Sequence, residues 1–359
     1  TAGGSGPGIG GFSVYQTNPD YAWAEWNAHF RDWWRAFVNN CNEGNGWQCY
    51  GDSSTTEWAL SDNEGPIDGG GSITGSEALY GWNGRKPYHS INFVTVHDGF
   101  TLYDMFSYTD KQNECGVLNP ICCEDPTSAW CETNSGENHN RSFDWGMGRE
   151  HMKRQQMRNL FAALFFSHGT PMILGGDEWM RTQYGNNNAY SDWADNEWNW
   201  FRWGEWQSSA NSERSRMHDF VRNMTRMRRE HKYAFSPETH GSGMPYAWKN
   251  PGNSGEPNWN GRTVMIHYYN DGSWDDPELL VMMNFTSDTI SFTLPTGRNW
   301  LRIVDTQNYF DRQDQGGYLS SATEQELRQS HNVSLDAPEA LSNSYGVQPF
   351  TIVIAKQEL

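Results

Sequence analysis

The chain has 359 residues, a formal net charge of −18 and a pI near 4.9. A surface this acidic repels phosphate backbones and anionic membranes, so we expect no nucleic acid and no membrane as a partner. The sequence contains no run of about twenty apolar residues, so no membrane-spanning helix is expected either. A neutral polysaccharide, by contrast, is indifferent to this charge.

The hydrophobic content of 36% over this length supports one large domain and one small domain. Aromatic residues make up 14% of the chain, with 19 Trp among them. Packing in cores and interfaces explains most of these rings, although stacking on sugar faces is another use for them.

The first predicted elements are a short strand around residues 23–27 and a helix that follows it. Apolar residues recur at helical spacing at Phe30, Trp33, Trp34 and Phe37. Glu25 precedes this helix, and we interpret it as an exposed carboxylate that caps the helix or pairs with Arg31.

Two segments interrupt the regular pattern, one over residues 41–80 and one over residues 108–150. Six cysteines lie in or near them: Cys41, Cys49, Cys115, Cys122, Cys123 and Cys131. Their spacing lacks the paired CxxC framework of a structural zinc site. Disulfides in a secreted or periplasmic protein are favoured slightly over free thiols in a cytoplasmic one. His139 has no second ligand at a suitable spacing, and we interpret it as a polar loop residue.

A buried strand is predicted at about residues 90–97, from the apolar residues Ile91, Phe93, Val94 and Val96. It ends at His97, Asp98 and Gly99. In a β/α barrel the carboxyl ends of the strands carry the catalytic groups, so His97 and Asp98 are the first functional candidates. The alternative is a structural strand followed by an aspartate that caps the next turn.

The next predicted elements are a helix over residues 151–167 and a buried strand over residues 170–176, in the order typical of an α/β barrel. Asp177 and Glu178 follow. Adjacent strand residues point to opposite faces, so these two carboxylates are interpreted as rim or scaffold groups rather than a catalytic pair. A last amphipathic helix is predicted over residues 209–230.

Beyond about residue 235 the pattern changes to short β-rich runs separated by turn residues, typical of a small antiparallel β-sandwich. The runs are 263–269, 278–285, 289–294, 299–304 and 348–355. We therefore predict two domains, at residues 1–232 and 233–359.

Several motifs together resemble the isoamylase and glycogen-debranching branch of the α-amylase superfamily, glycoside hydrolase family thirteen. They are Trp-Ala-Glu-Trp-Asn at 23–27, Phe-Arg-Asp at 30–32, Asn-Gly-Arg-Lys-Pro at 83–87, His-Asp-Gly at 97–99, Gly-Asn-Asn-Asn at 185–188 and Trp-Phe-Arg-Trp at 200–203. The resemblance covers essentially the whole chain but only the second half of such an enzyme.

This resemblance implies an α/β fold, the C-terminal part of a (β/α)8 TIM barrel followed by a small antiparallel β-sandwich. It implies that Asp98 stabilises the transition state and that His97 contacts the sugar at the cleavage point. Trp26, Trp179 and Tyr190 are the candidates for stacking on sugars. The expected partner is an α-glucan such as glycogen or amylopectin, and no cofactor or metal is expected.

Retaining glycoside hydrolysis also needs a nucleophilic carboxylate and an acid, which this superfamily places in a Gly-x-Arg-x-Asp segment and on the following strand. Neither segment is found in the sequence, and the nearest match, Arg312-Gln313-Asp314, falls in the predicted sandwich. Half a barrel would leave open strand edges. We therefore expect an N-terminal half, on a second chain or a missing segment, to supply both groups, and we expect no activity without it.

Two alternatives stay open at this point. The chain could be a non-catalytic glucan-binding or regulatory subunit of isoamylase type, although the presence of both His97 and Asp98 argues mildly against it. It could also act on α-1,4 linkages as an amylase or transglycosylase, but the Asn-rich blocks favour debranching.

Overall fold

A computed structural model describes residues 23–39, 41–42, 48–49, 73–81, 84–113, 136–138, 140–189, 199–206, 213–258, 261–307 and 332–359. Its α-helices are α1 (Ala28–Asn39), α2 (Glu77–Tyr80), α3 (Glu150–Phe166), α4 (Trp203–Trp206), α5 (Glu213–Glu230) and α6 (Lys232–Phe235). Its strands are β1 (Glu25–Asn27), β2 (Cys41–Asn42), β3 (Gln48–Cys49), β4 (Ser90–Asn92), β5 (Thr170–Pro171), β6 (Tyr246–Lys249), β7 (Thr263–Tyr268), β8 (Leu279–Asn284), β9 (Ile290–Thr293), β10 (Trp300–Asp305), β11 (Glu339–Leu341), β12 (Ser344–Val347) and β13 (Thr351–Gln357). None of the helices described is long and apolar enough to span a bilayer.

The first layer is a parallel sheet with the strand order β1-β4-β5. Trp26 of β1 is in register with Ile91 of β4, and Ile91 is in register with Thr170 of β5. Helix α1 follows β1 and helix α3 precedes β5, so the predicted alternation of strands and helices is confirmed. Parallel strands joined through helices bring their carboxyl ends to one edge of the sheet.

Both predicted buried strands are shorter than expected. Strand β4 ends at Asn92, and two residues later the carbonyl of Val94 accepts a hydrogen bond from Arg35 Nε at 2.7 Å. Strand β5 ends at Pro171, which has no N–H to donate. The predicted strands at 90–97 and 170–176 are therefore correct in position but too long.

Helices α1, α3 and α5 cover this sheet and enclose the largest apolar cluster. The predicted apolar face of α1 is buried, and Trp34 contacts Phe166 of α3 with ring centroids 5.8 Å apart. Helix α3 departs from the amphipathic prediction, since 15 of its 17 residues are buried. Its polar side faces the second layer of the molecule rather than solvent.

The second layer is an antiparallel sheet with the order β11-β10-β13-β8-β7-β6, next to a two-stranded ladder of β12 and β9. Alternate residues of β8 and β13 point to opposite faces, as strand geometry requires. Ile352 belongs to the apolar cluster shared with the helices, whereas Val353 packs in a second cluster with Phe292 of β9. The five predicted β-runs are confirmed, and strands β6, β11 and β12 were not predicted.

A set of hydrogen bonds fastens the polar side of α3 to the chain just before β13. Gln155 Nε2 donates to the carbonyl oxygens of Pro349 at 2.9 Å and Phe350 at 2.8 Å. Asn159 Nδ2 donates to the same Phe350 carbonyl at 2.7 Å, and the Asn159 Oδ1 accepts from Thr306 Oγ1 at 2.5 Å. The largest apolar cluster also contains residues of both layers, so they share one core. The domain boundary at residue 232 stays a prediction.

We predict that Asn159→Ala lowers the free energy of unfolding by about 2 kcal/mol, because it removes buried hydrogen-bond partners from Phe350 and Thr306. Urea unfolding followed by circular dichroism measures the change. Asn299→Ala is the matched control, since the exposed Asn299 side chain donates to the exposed Glu358 and the expected change is within about 0.5 kcal/mol. Equal losses in both variants would contradict the assignment.

Candidate active site

The candidate site lies where the chain leaves strand β4. Phe93, Val94 and Val96 are buried, and the chain then reaches the surface at His97 and Asp98, which are both exposed. Gly99 follows with φ +87°, a left-handed conformation that a side chain disfavours. The sequence order of buried strand, charged pair and glycine thus places an imidazole and a carboxylate at the carboxyl edge of the parallel sheet.

Trp26 joins this pair from the neighbouring strand. It is 38% exposed, because alternation along β1 turns Glu25 and Asn27 inward and Trp26 outward. Its ring centroid lies 5.9 Å from that of His97, in an edge arrangement, and 5.7 Å from that of Phe93. The structure therefore brings together three of the predicted site residues: Trp26, His97 and Asp98.

Arg35 supports the turn from beneath. Besides the bond from its Nε to the Val94 carbonyl, its Nη1 would lie 3.9 Å from a Cβ placed on Gly99. The side chain is buried, and desolvation, together with the repulsion of Arg31, lowers its pKa to about 9. Its Nη2 has no hydrogen-bond partner within the described part of the chain. The guanidinium is thus held in place by one backbone carbonyl, close under the Asp98–Gly99 peptide.

The segment after β5 carries Asp177 into the core beside the site. Asp177 and Glu178 lie on a 3-10 helix, Asp177–Trp179, so the expectation of opposite faces of a strand is wrong. The Asp177 carboxylate accepts hydrogen bonds from Thr95 Oγ1 and, at 3.0 Å, from the Leu102 amide. Burial raises its pKa to about 6 despite these donors. Asp177 therefore joins residues on both sides of the His97–Asp98 turn and acts as scaffold.

Asp104 forms a second tie that the sequence interpretation missed. Its carboxylate accepts hydrogen bonds from Thr182 Oγ1 at 2.5 Å and from the Gln183 amide at 2.7 Å. It is fully buried, and desolvation raises its pKa. The burial of Asp104 depends on Thr182 and Gln183, which are nearly 80 residues away, and no local pattern indicates it.

Glu25 corrects a second expectation. Its carboxylate is buried rather than exposed, and it accepts a hydrogen bond from Arg85 Nη1 at 2.6 Å in an ion pair. Arg31, the predicted partner, instead pairs through its Nε with Asp32 Oδ1 at 2.6 Å. The inward turn of Glu25 on β1 explains the difference, because it directs the carboxylate toward the Arg85 segment.

The remaining predicted site residues are not brought to this cluster. Trp179 is 9% exposed and stacks on His218 of α5, with ring centroids 4.4 Å apart. Packing against α5 accounts for its ring, and its role in sugar stacking stays a prediction. Tyr190 and His139 lie outside the described residues.

The arrangement offers a carboxylate, an imidazole and an indole face on one surface. Such groups can accept hydrogen bonds from sugar hydroxyls and stack on a pyranose ring. The described residues contain no cluster of three or more His, Cys, Asp or Glu side chains that could hold a metal ion. Asp98 is a single exposed carboxylate in this cluster, whereas retaining glycoside hydrolysis uses two carboxyl groups, a nucleophile and a general acid.

We predict that Asp177→Asn stabilises the chain at neutral pH. Because the folded state holds the Asp177 proton more tightly than the unfolded chain does, the free energy of unfolding falls as the pH rises from about 4 to about 6. The asparagine Oδ1 still accepts from the Leu102 amide, its Nδ2 donates to the Thr95 hydroxyl, which reverses its role, and the side chain has no proton to lose. The expected gain over wild type approaches about 3 kcal/mol at pH 7 and vanishes near pH 4.

Urea unfolding of both proteins between pH 4 and pH 7 tests this prediction. His168 and His231 are buried with pKa values lowered to about 4, so their contributions to stability are lost as the pH falls from about 6.5 to about 4. Their slope has the opposite sign and is common to both proteins, so the difference isolates Asp177. A difference that stays constant with pH would refute the assignment.

Comparison with known proteins gives consistent relatives. No protein-family model matches the chain. The isoamylase of Flavobacterium sp is 33% identical over 327 residues, which cover 86% of this chain and 36% of that protein. The GlgX homologue of Mycobacterium tuberculosis is 37% identical over 233 residues, 63% of this chain and 26% of that protein. Isoamylase SU1 of Zea mays is 30% identical, over 79% of this chain and 32% of its own length.

The chain thus spans about a third of the length of the curated relatives that it matches. Among solved structures, the pullulanase of Bacillus acidopullulyticus superposes with a TM-score of 0.53 at 18% identity, over 93% of this chain and 30% of that one. The type I pullulanase of Bacillus subtilis gives 0.54 at 17% identity, over 93% and 35%. These similarities show an α/β fold of the amylase type.

Proposed function

We propose that this chain, a homologue of the isoamylases and glycogen-debranching proteins of the α-amylase superfamily, is the C-terminal part of a glycoside hydrolase that cleaves α-1,6 branch linkages. The substrate class is a branched α-glucan such as glycogen or amylopectin. The observation that carries the proposal is the exposed His97–Asp98 pair beside the half-exposed Trp26 at the carboxyl edge of the parallel sheet.

Each of the three side chains has a defined task in this proposal. Asp98 accepts hydrogen bonds from hydroxyls of the sugar at the cleavage point. These bonds strengthen as the ring becomes oxocarbenium-like, so they stabilise the transition state more than the ground state. His97 orients the same sugar, and Trp26 supplies an apolar face for a neighbouring pyranose ring.

The parallel sheet is proposed to be one part of a (β/α)8 barrel that a preceding segment completes. Strands β1 and β5 are the outer strands of the sheet, and neither has a further strand partner within the described residues. Apolar side chains near both edges are exposed, with Trp23 at 67% and Ile173 at 38%. Strands from an N-terminal half would pair with both edges and cover these groups.

That N-terminal half is also the proposed source of the nucleophile and the acid. The chain's share of its relatives' length, about a third, leaves ample sequence for both groups. In the same proposal residues 1–232 form the C-terminal half of the barrel with its insertions, and residues 233–359 form the sandwich. The described chain then contributes substrate binding and transition-state stabilisation rather than bond cleavage.

The test is hydrolysis of glycogen and pullulan by the protein that carries the preceding segment, with new reducing ends and linkage type as readouts. We predict that Asp98→Asn lowers kcat by about a thousandfold, because a neutral amide stabilises the developing positive charge far less. Asp288→Asn is the matched control, since Asp288 is exposed in the turn between β8 and β9, and its kcat is expected to equal that of wild type.

Two other outcomes decide between the alternatives. Tight binding of maltooligosaccharides without any hydrolysis would favour a non-catalytic glucan-binding or regulatory subunit. Release of α-1,4-linked products from unbranched amylose would favour an amylase or transglycosylase. Unchanged kcat in Asp98→Asn would reject the assigned role of the carboxylate.

A further inference from the structure

We propose that Asn187 is a positioning residue that fixes the His97–Asp98 turn and ties it to the end of the 108–150 insertion. The catalytic consequence rests on the proposed function. The structural consequence does not, since it follows from the contacts of one buried residue: its backbone carbonyl binds the Gly99 amide, and its side chain holds that backbone in place. Asn187 belongs to the Gly-Asn-Asn-Asn block at 185–188, whose role the sequence left unassigned.

Every polar group of Asn187 is used. Its backbone carbonyl oxygen accepts a hydrogen bond at 2.9 Å from the backbone amide of Gly99, the residue directly after Asp98. Its backbone N–H donates to Asn113 Oδ1 at 3.0 Å, and its side-chain Oδ1 accepts from Asn113 Nδ2 at 2.9 Å. Its Nδ2 donates to the Glu137 carbonyl at 2.7 Å and to Asn140 Oδ1 at 2.8 Å. One residue thus joins three separate segments of the chain.

Only a carboxamide satisfies this set of partners. The side chain must accept from one amide and donate to two oxygens, and it is 1% exposed, so water cannot replace a lost partner. The residues around the side chain are closely packed. A Cβ on Gly136 would come within 2.2 Å of Asn187 Oδ1, and Gly136 itself has φ +78°.

The loop that carries Asn187 is held on its other side as well. The Gly185 carbonyl accepts a hydrogen bond from the Gln112 amide at 2.7 Å. Gly185 packs so closely on Gln112 and Tyr108 that a Cβ would lie 2.7 Å from the Gln112 side chain. The loop is therefore packed and hydrogen-bonded against the segment that begins the insertion.

The position of Asn187 beside the His97–Asp98 turn gives it a function. Arg35 holds the Val94 carbonyl before the turn, and Asn187 holds the Gly99 amide after it. His97 and Asp98 are exposed between these two supports. A shift of about 1 Å at a reacting centre costs roughly a hundredfold in rate, so the second support matters for catalysis.

Asn187→Asp is the sharpest test. It keeps the size and the Oδ1 acceptor but sets an oxygen against the Glu137 carbonyl and Asn140 Oδ1. The control is Asn138→Asp, the same chemical change at an exposed residue that lies between Glu137 and Asn140. Both variants are made in the protein that carries the preceding segment, and hydrogen exchange of the peptide containing Gly99 is measured together with kcat and KM on glycogen.

We predict that Asn187→Asp speeds exchange of the Gly99 amide about tenfold and lowers kcat by roughly a hundredfold, with KM changed far less. Asn138→Asp should match wild type in both measurements. Asn113→Asp, which sets an oxygen against Asn187 Oδ1 but leaves both bonds donated by Asn187 Nδ2 in place, should give an intermediate change, and it replaces Asn187→Asp if that variant does not fold.

Three results would be decisive against parts of this account. If Asn187→Asp shows the same Gly99 exchange rate and kcat as Asn138→Asp, Asn187 does not fix the turn. Faster exchange with unchanged kcat would overturn its positioning role. Absence of glucan hydrolysis in the wild-type protein would reject the proposed function, and the Gly99 exchange rate would then decide the structural role of Asn187 independently.

Discussion

The structure depends on burying a helix whose two sides differ in chemistry. The apolar side of α3 packs against α1 and α5, and its polar side meets the chain that leads into β13. Buried carbonyl groups are costly unless they accept hydrogen bonds, and Gln155 and Asn159 supply the donors for Phe350. Phe350 itself has φ +53°, so the backbone adopts a disfavoured conformation where these two donors meet it.

The candidate site shows a division of work between exposed and buried polar groups. His97 and Asp98 are exposed at the carboxyl edge of the parallel sheet. Two buried side chains, those of Asp104 and Asp177, and the backbone carbonyl of Asn187 connect the chain on either side of them to the segment after β5. Raised pKa values at Asp104 and Asp177 record the cost of burying those carboxylates. The buried polar groups thus support the backbone from which His97 and Asp98 extend.

The sequence predicted the elements whose signal is local and missed those set by distant partners. The faces of α1 and the five β-runs followed from periodicity, and the His97–Asp98 turn followed from a strand that ends in a charged pair. Strands β6, β11 and β12 are short, and their half-exposed residues give little periodic signal. No local pattern revealed where these three strands lie.

The errors at the site have the same origin. The burial of Glu25 depends on Arg85, which is 60 residues away, and the early end of β4 depends on Arg35, which belongs to another element. Asn187 was visible only as part of a motif, because its partners come from three segments distant in sequence. The exposed site residues were found from strand order, whereas their supports required the tertiary structure.

The shared core between the helical layer and the antiparallel sheet has a consequence for how such proteins exchange parts. A β-module joined to the helical layer only through a linker could be replaced by another without loss. Here a substitute sheet would need to present carbonyl oxygens to Gln155 and Asn159 at the same positions, and to fill the same apolar surface. Recombination among relatives is therefore expected to preserve α3 and β13 as a matched pair inherited from one parent.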